Sequence, residues 1–591
     1  MATESDSSLD TEEFRTAVLD VYNAGGLLAW LRDQGYTRAN KQFDQLLQTL
    51  ADLHNSQALN ILQPIFAGEL ECLTGRDFFL IQDVYCHLIP NLKADADELM
   101  DAVQKLVYAG GQDLAANDPN SAFRDWLGNH PDQTNQLLER AEAGTNSDFP
   151  LLTFVLEAGA RFSFERYHSA ALRLLSSTRL EFRLAAVIAL SRIPTLPDMS
   201  KHQETVGALA KQVLATEDNN ERTSSVASLL HVHAQDVANE TELVIEAIKF
   251  AISQPTDGLH FILAQRLAQH YKVLSLEVQQ LIIDALGHSN PAMKGVVDQL
   301  DFAFSQCITD DNRQNIADCV RQLLNHPEHA VDIGELESFC HRLSAEKPQL
   351  LAWLVICWLR FGDHRSREAL PVLFRRYHET GLTLDWPLRE FALSDEELVF
   401  VCKKAIGYFL IDARSAASVL IACIDAAQTD ETAQSIASLL FDPLMLNYSG
   451  QAREYIEPES KKKRPRQKFL KSAVKQHDDY LADLRSVGKI PELWPSAAER
   501  QIQGERQRAL FSQSFAEAHS ESSLLNFVSR QTLLNGEGSV SYYRDYGGNH
   551  HRSETMLSSH GTSMEVPRYE AVDPLYFQYL IFLLRNETFP E

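Results

Sequence analysis

Apolar residues recur at helical spacing through most of the chain. In the stretch 241–252, Val244, Ala247, Ile248, Ala251 and Ile252 follow one another at intervals of three, one, three and one. In 275–286, Val278, Leu281, Ile282, Ala285 and Leu286 do the same. Residues so placed share one face of a 3.6-residue helix, so each stretch predicts an amphipathic helix with one buried side. Start signals fit. Asn290 before Pro291 predicts a cap and first turn, and Ser394 with Glu397 predicts a capping box. Asp10 with Glu13 and Asp95 with Glu98 are further capping pairs. Between 151 and 446 there is no series of alternating, strand-like runs. The strongest apolar run, Leu350 to Leu359, is about half the length of a bilayer span and predicts a helix buried on all sides.

The helices are also paired and repeated. The segments 184–190, 224–230, 261–267 and 295–300 occupy equivalent places, with starts separated by 40, 37 and 34 residues. Each follows a shorter apolar helix and a polar break. Such a period describes a two-helix unit that cannot bury its apolar face alone and must stack on its neighbours. The segment Leu180–Pro194 resembles the second helix of a HEAT-type repeat, with Arg183 ahead of a run of small residues that lets helices approach closely. The resemblance is to a repeat class, covers 151–446, and is degenerate in the later units. It implies an all-α chain built around an α-solenoid of stacked antiparallel helix pairs. Arrays of this class mostly serve as scaffolds and docking surfaces.

Four regions are expected. Residues 1–150 form an N-terminal helical cap or domain, broken by turns at 24–26, 109–111 and 117–121, and 151–446 form the solenoid. Residues 447–490 change to a polar, basic composition that reads as a linker followed by a helix. Residues 491–591 form a C-terminal helical region. Within the last two regions, helical stretches at 478–487, 497–518 and 522–534 lead to a Tyr-, Ser-, Gly- and His-rich segment that predicts one β-hairpin or a long ordered loop. The closing helix, 574–584, carries Leu575, Phe577, Leu580, Ile581, Phe582, Leu583 and Leu584 and should be buried against the body, another copy or a partner.

Charge narrows the choice of partner. Lys plus Arg number 54 against 81 Asp plus Glu, a net charge of −27. A field of that sign repels phosphate backbones and steers basic partners. The amino-terminal residues show no basic and apolar leader pattern, and the eight cysteines contain no CxxC. Both point to a cytoplasmic protein with reduced, buried thiols and no membrane segment.

Two segments are candidate contact sites. Glu459 to Lys475 contains eight Lys or Arg and one Glu, so the segment carries +7. Its core, Lys461, Lys462, Lys463, Arg464 and Arg466, could hold an acidic partner, and the 461–475 segment is the one place where nucleic acid could bind. The alternative is a solvated linker that meets the acidic surface of its own chain. The second is the loop carrying Tyr542, Tyr543, Tyr546, His550, His551 and His560, near Glu565 and Arg568, because a loop on a rigid scaffold is where such side chains gather.

Chemistry has less support. Cys319, His326, His329 and Cys340 are zinc-ligand types, but their spacing matches no standard module, and they are expected to be structural. Asp442 with Glu459-Ser460-Lys461 mimics a metal-dependent nuclease spacing without the strands that usually carry it. Phosphate-loop, dinucleotide, nucleophile-elbow and HExxH motifs are absent, so neither a reaction nor a cofactor is named. The expectation is a scaffold or adaptor for protein partners, with self-association a further expectation. The reading from another class is a nucleic-acid-processing component completed by a partner. An accessory or immunity subunit of a bacterial conflict system is a third, by analogy alone.

Overall fold

Helical spacing in the sequence becomes helix in the structure, a computed structural model. It describes residues 11–34, 42–111, 113–144, 151–195, 198–235, 242–293, 295–373, 381, 383–488, 490, 495–521, 538–544, 550–556 and 565–589. The helix Glu242–Ile252 buries Val244, Ala247, Ile248 and Ala251. In Leu276–Leu286 the buried set is Val278, Ile282, Ile283, Ala285 and Leu286, so Ile283 takes the place expected of Leu281. Ser394 and Glu397 form the full capping box of the helix Asp395–Phe409. Asp95 caps Ala96–Ala109 by accepting from the backbone of Asp97 and Glu98, while Asp10 lies outside the described residues. Asn290 does not cap a helix. Its side chain accepts from Ala292 N in a turn, and the next helix, Val296–Cys307, starts after Gly295 at φ 82°. Asn's short amide favours such local turns over helix starts when a glycine follows to redirect the chain.

The chain is all-α apart from one hairpin among the described residues. It forms two compact units, Met1–Leu343 and Ser344–Glu591. In the first unit, one row of helices runs Asp118–Asn129, Leu152–Phe162, Leu180–Arg192, Asn219–His233, Asp257–His270 and Val296–Cys307, each packed on the next. A second row contains Met199–Ala215, Glu242–Ile252, Leu276–Leu286 and Arg313–Leu324, again each on the next. Helices adjacent in sequence join the rows, as in the contact of Met199–Ala215 with Asn219–His233. Each helix thereby covers the apolar side of two or more others, which supplies the burial that a lone pair could not.

Arg183, singled out by its place before the small-residue run, joins two members of the first row. Its Nε and Nη2 donate to the two carboxylate oxygens of Glu221 at 2.8 and 2.9 Å. Glu221 is fully buried and also accepts from Gln212 Nε2 at 2.5 Å and Thr216 Oγ1 at 2.8 Å. Burial alone would raise this carboxyl, but the bonds from Arg183, Thr216 and Gln212 outweigh it and hold the group below the usual carboxylate range.

In the second unit, the helix Pro348–Phe361 buries every residue from Leu350 to Leu359, as its unbroken apolar sequence requires. The helix Asp395–Phe409 is central. It packs against Pro348–Phe361, His364–Leu373, Ala413–Ala426, Asp430–Leu439 and Pro574–Asn586. Of the linker and helix expected at 447–490, the linker part is itself helical: two packed helices, Ser449–Lys461 and Gln467–Val487, occupy the region. Ala452, Ile456, Phe469, Leu470 and Ala473 are buried there. The polar composition belongs to their outer faces, and a few apolar residues at helical spacing are enough to dock them. Beyond Ala497–Glu521 the strands β1 (Gly538–Arg544) and β2 (His550–Met556) form an antiparallel hairpin. No helix among the described residues is long and apolar enough to cross a membrane.

Candidate functional site

The basic run sits at the junction of Ser449–Lys461 and Gln467–Val487, and its charge is mostly spent within the chain. Lys461 pairs with Glu457 at 2.9 Å, and Lys462 pairs with Glu459. Arg464 bridges Asp425 at 3.1 Å and Glu459 at 2.5 Å. Arg466 and Lys468 both meet Asp430. Arg466 also donates to the carbonyl oxygens of Ala427 and Gln428, just past the helix Ala413–Ala426. Cations near the C-terminal end of a helix satisfy its unpaired carbonyls and complement its dipole. Lys463 is exposed and has no ion pair among the described residues. The run is therefore a clamp onto acids of its own unit more than an open cationic surface.

The hairpin gathers several of the expected loop residues by backbone register. Tyr542 is opposite Arg552, and Tyr543 is opposite His551. His550 and His551 are exposed at the start of β2, and Tyr546 and His560 lie outside the described residues. Glu565 and Arg568 are drawn elsewhere. The Glu565 carboxylate accepts from Gly450 N at 2.7 Å and Gln451 N at 3.0 Å, capping Ser449–Lys461. Arg568 lies over the ring of Tyr480, and Tyr569 OH donates to Asp442 at 2.8 Å. Asp442 is thus engaged by Tyr569 and Glu459 by Lys462 and Arg464, so the residues of the nuclease-like spacing have different partners.

Of the four zinc-ligand types, Cys319 is buried in the apolar face of Arg313–Leu324, and burial raises its thiol. The Cys340 thiol, pushed up to about 12 chiefly by burial, donates to Ile333 O. Among the described residues no group of three or more His, Cys, Asp or Glu is placed to hold a metal ion.

The most distinctive chemistry lies where sequence reading placed none. Lys404 is 0% exposed, and its Nζ donates to the carbonyl oxygens of Leu584 at 2.9 Å and Arg585 at 2.6 Å, in the last turn of Pro574–Asn586. Lys403 pairs with Glu587 at 2.7 Å, Arg585 Nε donates to Gly407 O at 2.7 Å, and the Arg360 guanidinium lies 4.2 Å from the centroid of Phe589. Gly407 allows this approach: a Cβ there would stand 3.2 Å from the Leu584 Cβ. Burial, with Arg367 adding to it, lowers the Lys404 ammonium to about 8. The signal was present in the sequence. Lys404 falls four residues after Phe400 and four before Tyr408, inside the inward stripe of its helix.

That anchoring leaves the rest of the final helix outward, so of the three places expected to bury 574–584 the body covers little of it. Only Leu584 is buried along it. Leu575 is 77% and Phe582 59% exposed, with Tyr576, Tyr579 and Leu583 also exposed. From Leu575 to Leu584 every residue but Gln578 is aliphatic or aromatic, so docking through one side turns apolar residues to solvent on the other. A groove of ≈ 450 Å³, lined by His364, Phe577, Ile581, Phe582, Arg585 and neighbours, runs along it. No protein-family model and no curated protein matches this chain.

Proposed function

We propose that this protein is a scaffold or adaptor that docks a basic, apolar-faced segment of another protein on its C-terminal helix. One observation carries the reading: the helix Pro574–Asn586 is locked at its last turn by Lys404 while Leu575, Tyr576, Tyr579, Phe582 and Leu583 stay exposed. A contiguous apolar face of this kind on a held element is characteristic of an interaction surface. Charge selects the partner. The exposed Glu570, in the short preceding helix Arg568–Val572, and the exposed Asp573, at the N-cap of the final helix, stand ahead of it, and the chain's −27 repels a second copy while drawing a cationic partner. The helix Asp395–Phe409 and the helices packed on it in the same unit supply the rigid body that such a surface needs. The internal pairing of the basic run weighs against the nucleic-acid reading, since few of its cations are left for phosphates.

The test uses the full-length chain and two synthetic amphipathic helices of equal apolar content, one rich in lysine and one in glutamate. Saturable binding of the lysine peptide, absent for the glutamate peptide and lost in a Leu575→Ser/Phe582→Ser variant, is the expected result. A dimer by light scattering that the same variant dissociates would assign the face to a second copy and overturn the proposal. Equal binding of both peptides, or binding that survives the variant, would also overturn it.

A further inference from the structure

In the first unit two imidazoles meet across neighbouring helices of one row. His231 lies in the last turn of Asn219–His233 and His270 in the last turn of Asp257–His270. His231 Nδ1 stands 3.4 Å from His270 Nε2, with ring centroids 5.4 Å apart and ring planes inclined by 55°. That is a long hydrogen bond between two imidazoles, with donor and acceptor set by the tautomers. The same gap also matches the bite of two ligands on one tetrahedral ion: nitrogens each about 2.05 Å from a zinc ion are about 3.3 Å apart. Both side chains are half-buried, so the pair is open to solvent while its backbones are held by two packed helices.

The surroundings cut both ways. Each histidine is at the carbonyl end of its helix, where the dipole favours a cation. A neutral imidazole keeps a lone pair on one ring nitrogen. Arg266, one turn before His270, opposes a cation. Its guanidinium donates to Gln269 Oε1 at 2.7 Å and takes part in no ion pair among the described residues.

We propose that His231 and His270 form a two-histidine site for a divalent ion of the zinc class, with the remaining coordination positions filled by water. Neutral imidazole nitrogens suit such borderline ions better than calcium or magnesium, which take oxygen ligands. The site is separate from the C-terminal helix and does not depend on the function proposed for it.

The experiment titrates the full-length chain, purified with chelator, with zinc by calorimetry and with cobalt(II) by visible absorbance, near neutral pH. One ion should bind per chain at this site, with cobalt giving the intense bands of a tetrahedral nitrogen-ligated centre. His231→Ala and His270→Ala should each weaken binding by at least about tenfold. Arg266→Gln should tighten it severalfold, because it removes an opposing charge and no ligand. Circular dichroism establishes that each variant is folded. Absence of zinc binding at about millimolar concentration, or equal binding in wild type and a folded histidine variant, overturns the site. Weaker zinc binding in a folded Arg266→Gln variant overturns it too, because the guanidinium would then support the ion's binding and not oppose it.

Discussion

The ammonium of Lys404 closes the last turn of the C-terminal helix, donating to Leu584 O at 2.9 Å from a position with no solvent exposure. A buried cation is costly by itself. Here the end of a helix, where carbonyl oxygens have no partners of their own, receives it. Lys404→Met keeps the bulk but removes both donors. Amide exchange in 584–589 should rise in that variant, while exchange in the helix Ala413–Ala426 stays unchanged.

Lys404 also makes stability depend on pH in a known direction. Its ordinary value is 10.5 and the folded value about 8. Between those values the unfolded chain binds more protons, so this group's contribution to stability rises with pH from 8 to 10.5 and is lost as pH falls through that window. The difference in melting temperature between wild type and Lys404→Met should therefore shift in favour of wild type across that range. A difference that stays flat would show that the ammonium is not depressed by its burial.

Glu221 and Arg183 should behave as a coupled pair. Removing the buried carboxylate by Glu221→Ala strands Arg183, Thr216 and Gln212 and should cost about 3 kcal/mol. The Arg183→Ala/Glu221→Ala double variant should be less destabilised than the sum of the singles. Denaturant unfolding of the four proteins measures the coupling directly.

The cations of the basic run should separate into two classes. Lys461, Lys462 and Lys463 are exposed, and changing all three to Ser should move stability by no more than about 1 kcal/mol. Arg464 has a side chain only 17% exposed and joins Asp425 to Glu459. Arg464→Ser should cost about 1–3 kcal/mol, because Asp425 would be left without its ion-pair partner. Thermal melts of the two variants test the division.

Along the final helix, depth should decide the outcome. Leu575→Ser and Phe582→Ser should leave folding nearly unchanged and abolish peptide binding. Leu584→Ala, at the buried end, should cost about 2–3 kcal/mol and loosen the helix. Limited proteolysis near residue 574 distinguishes these variants.

The sequence by itself determined which segments are helical, because that information is periodic and local. Val244, Ala247, Ile248 and Ala251 lie on one face whatever they pack against, Ser394 and Glu397 cap their helix through bonds three residues apart, and the run from Leu350 to Leu359 has no polar side to expose. The segment expected to form one β-hairpin or a long ordered loop was legible from its turn signals and composition. Asn290 misled because Asn serves turns as readily as caps, and only the positive φ of Gly295 places the helix start. The linker expected ahead of a helix within 447–490 misled because composition weighs surface and core alike, whereas Ile456, Phe469 and Leu470 need only a narrow stripe to dock. What only the tertiary structure decided are the meetings between distant residues: Arg464 with Asp425, Lys404 with Leu584, and His231 with His270. It also decided which side of an all-apolar helix faces solvent. A helix such as 574–584 carries no polar face to orient it, so its direction follows from the Lys404 ammonium and Gly407, nearly two hundred residues earlier in the chain.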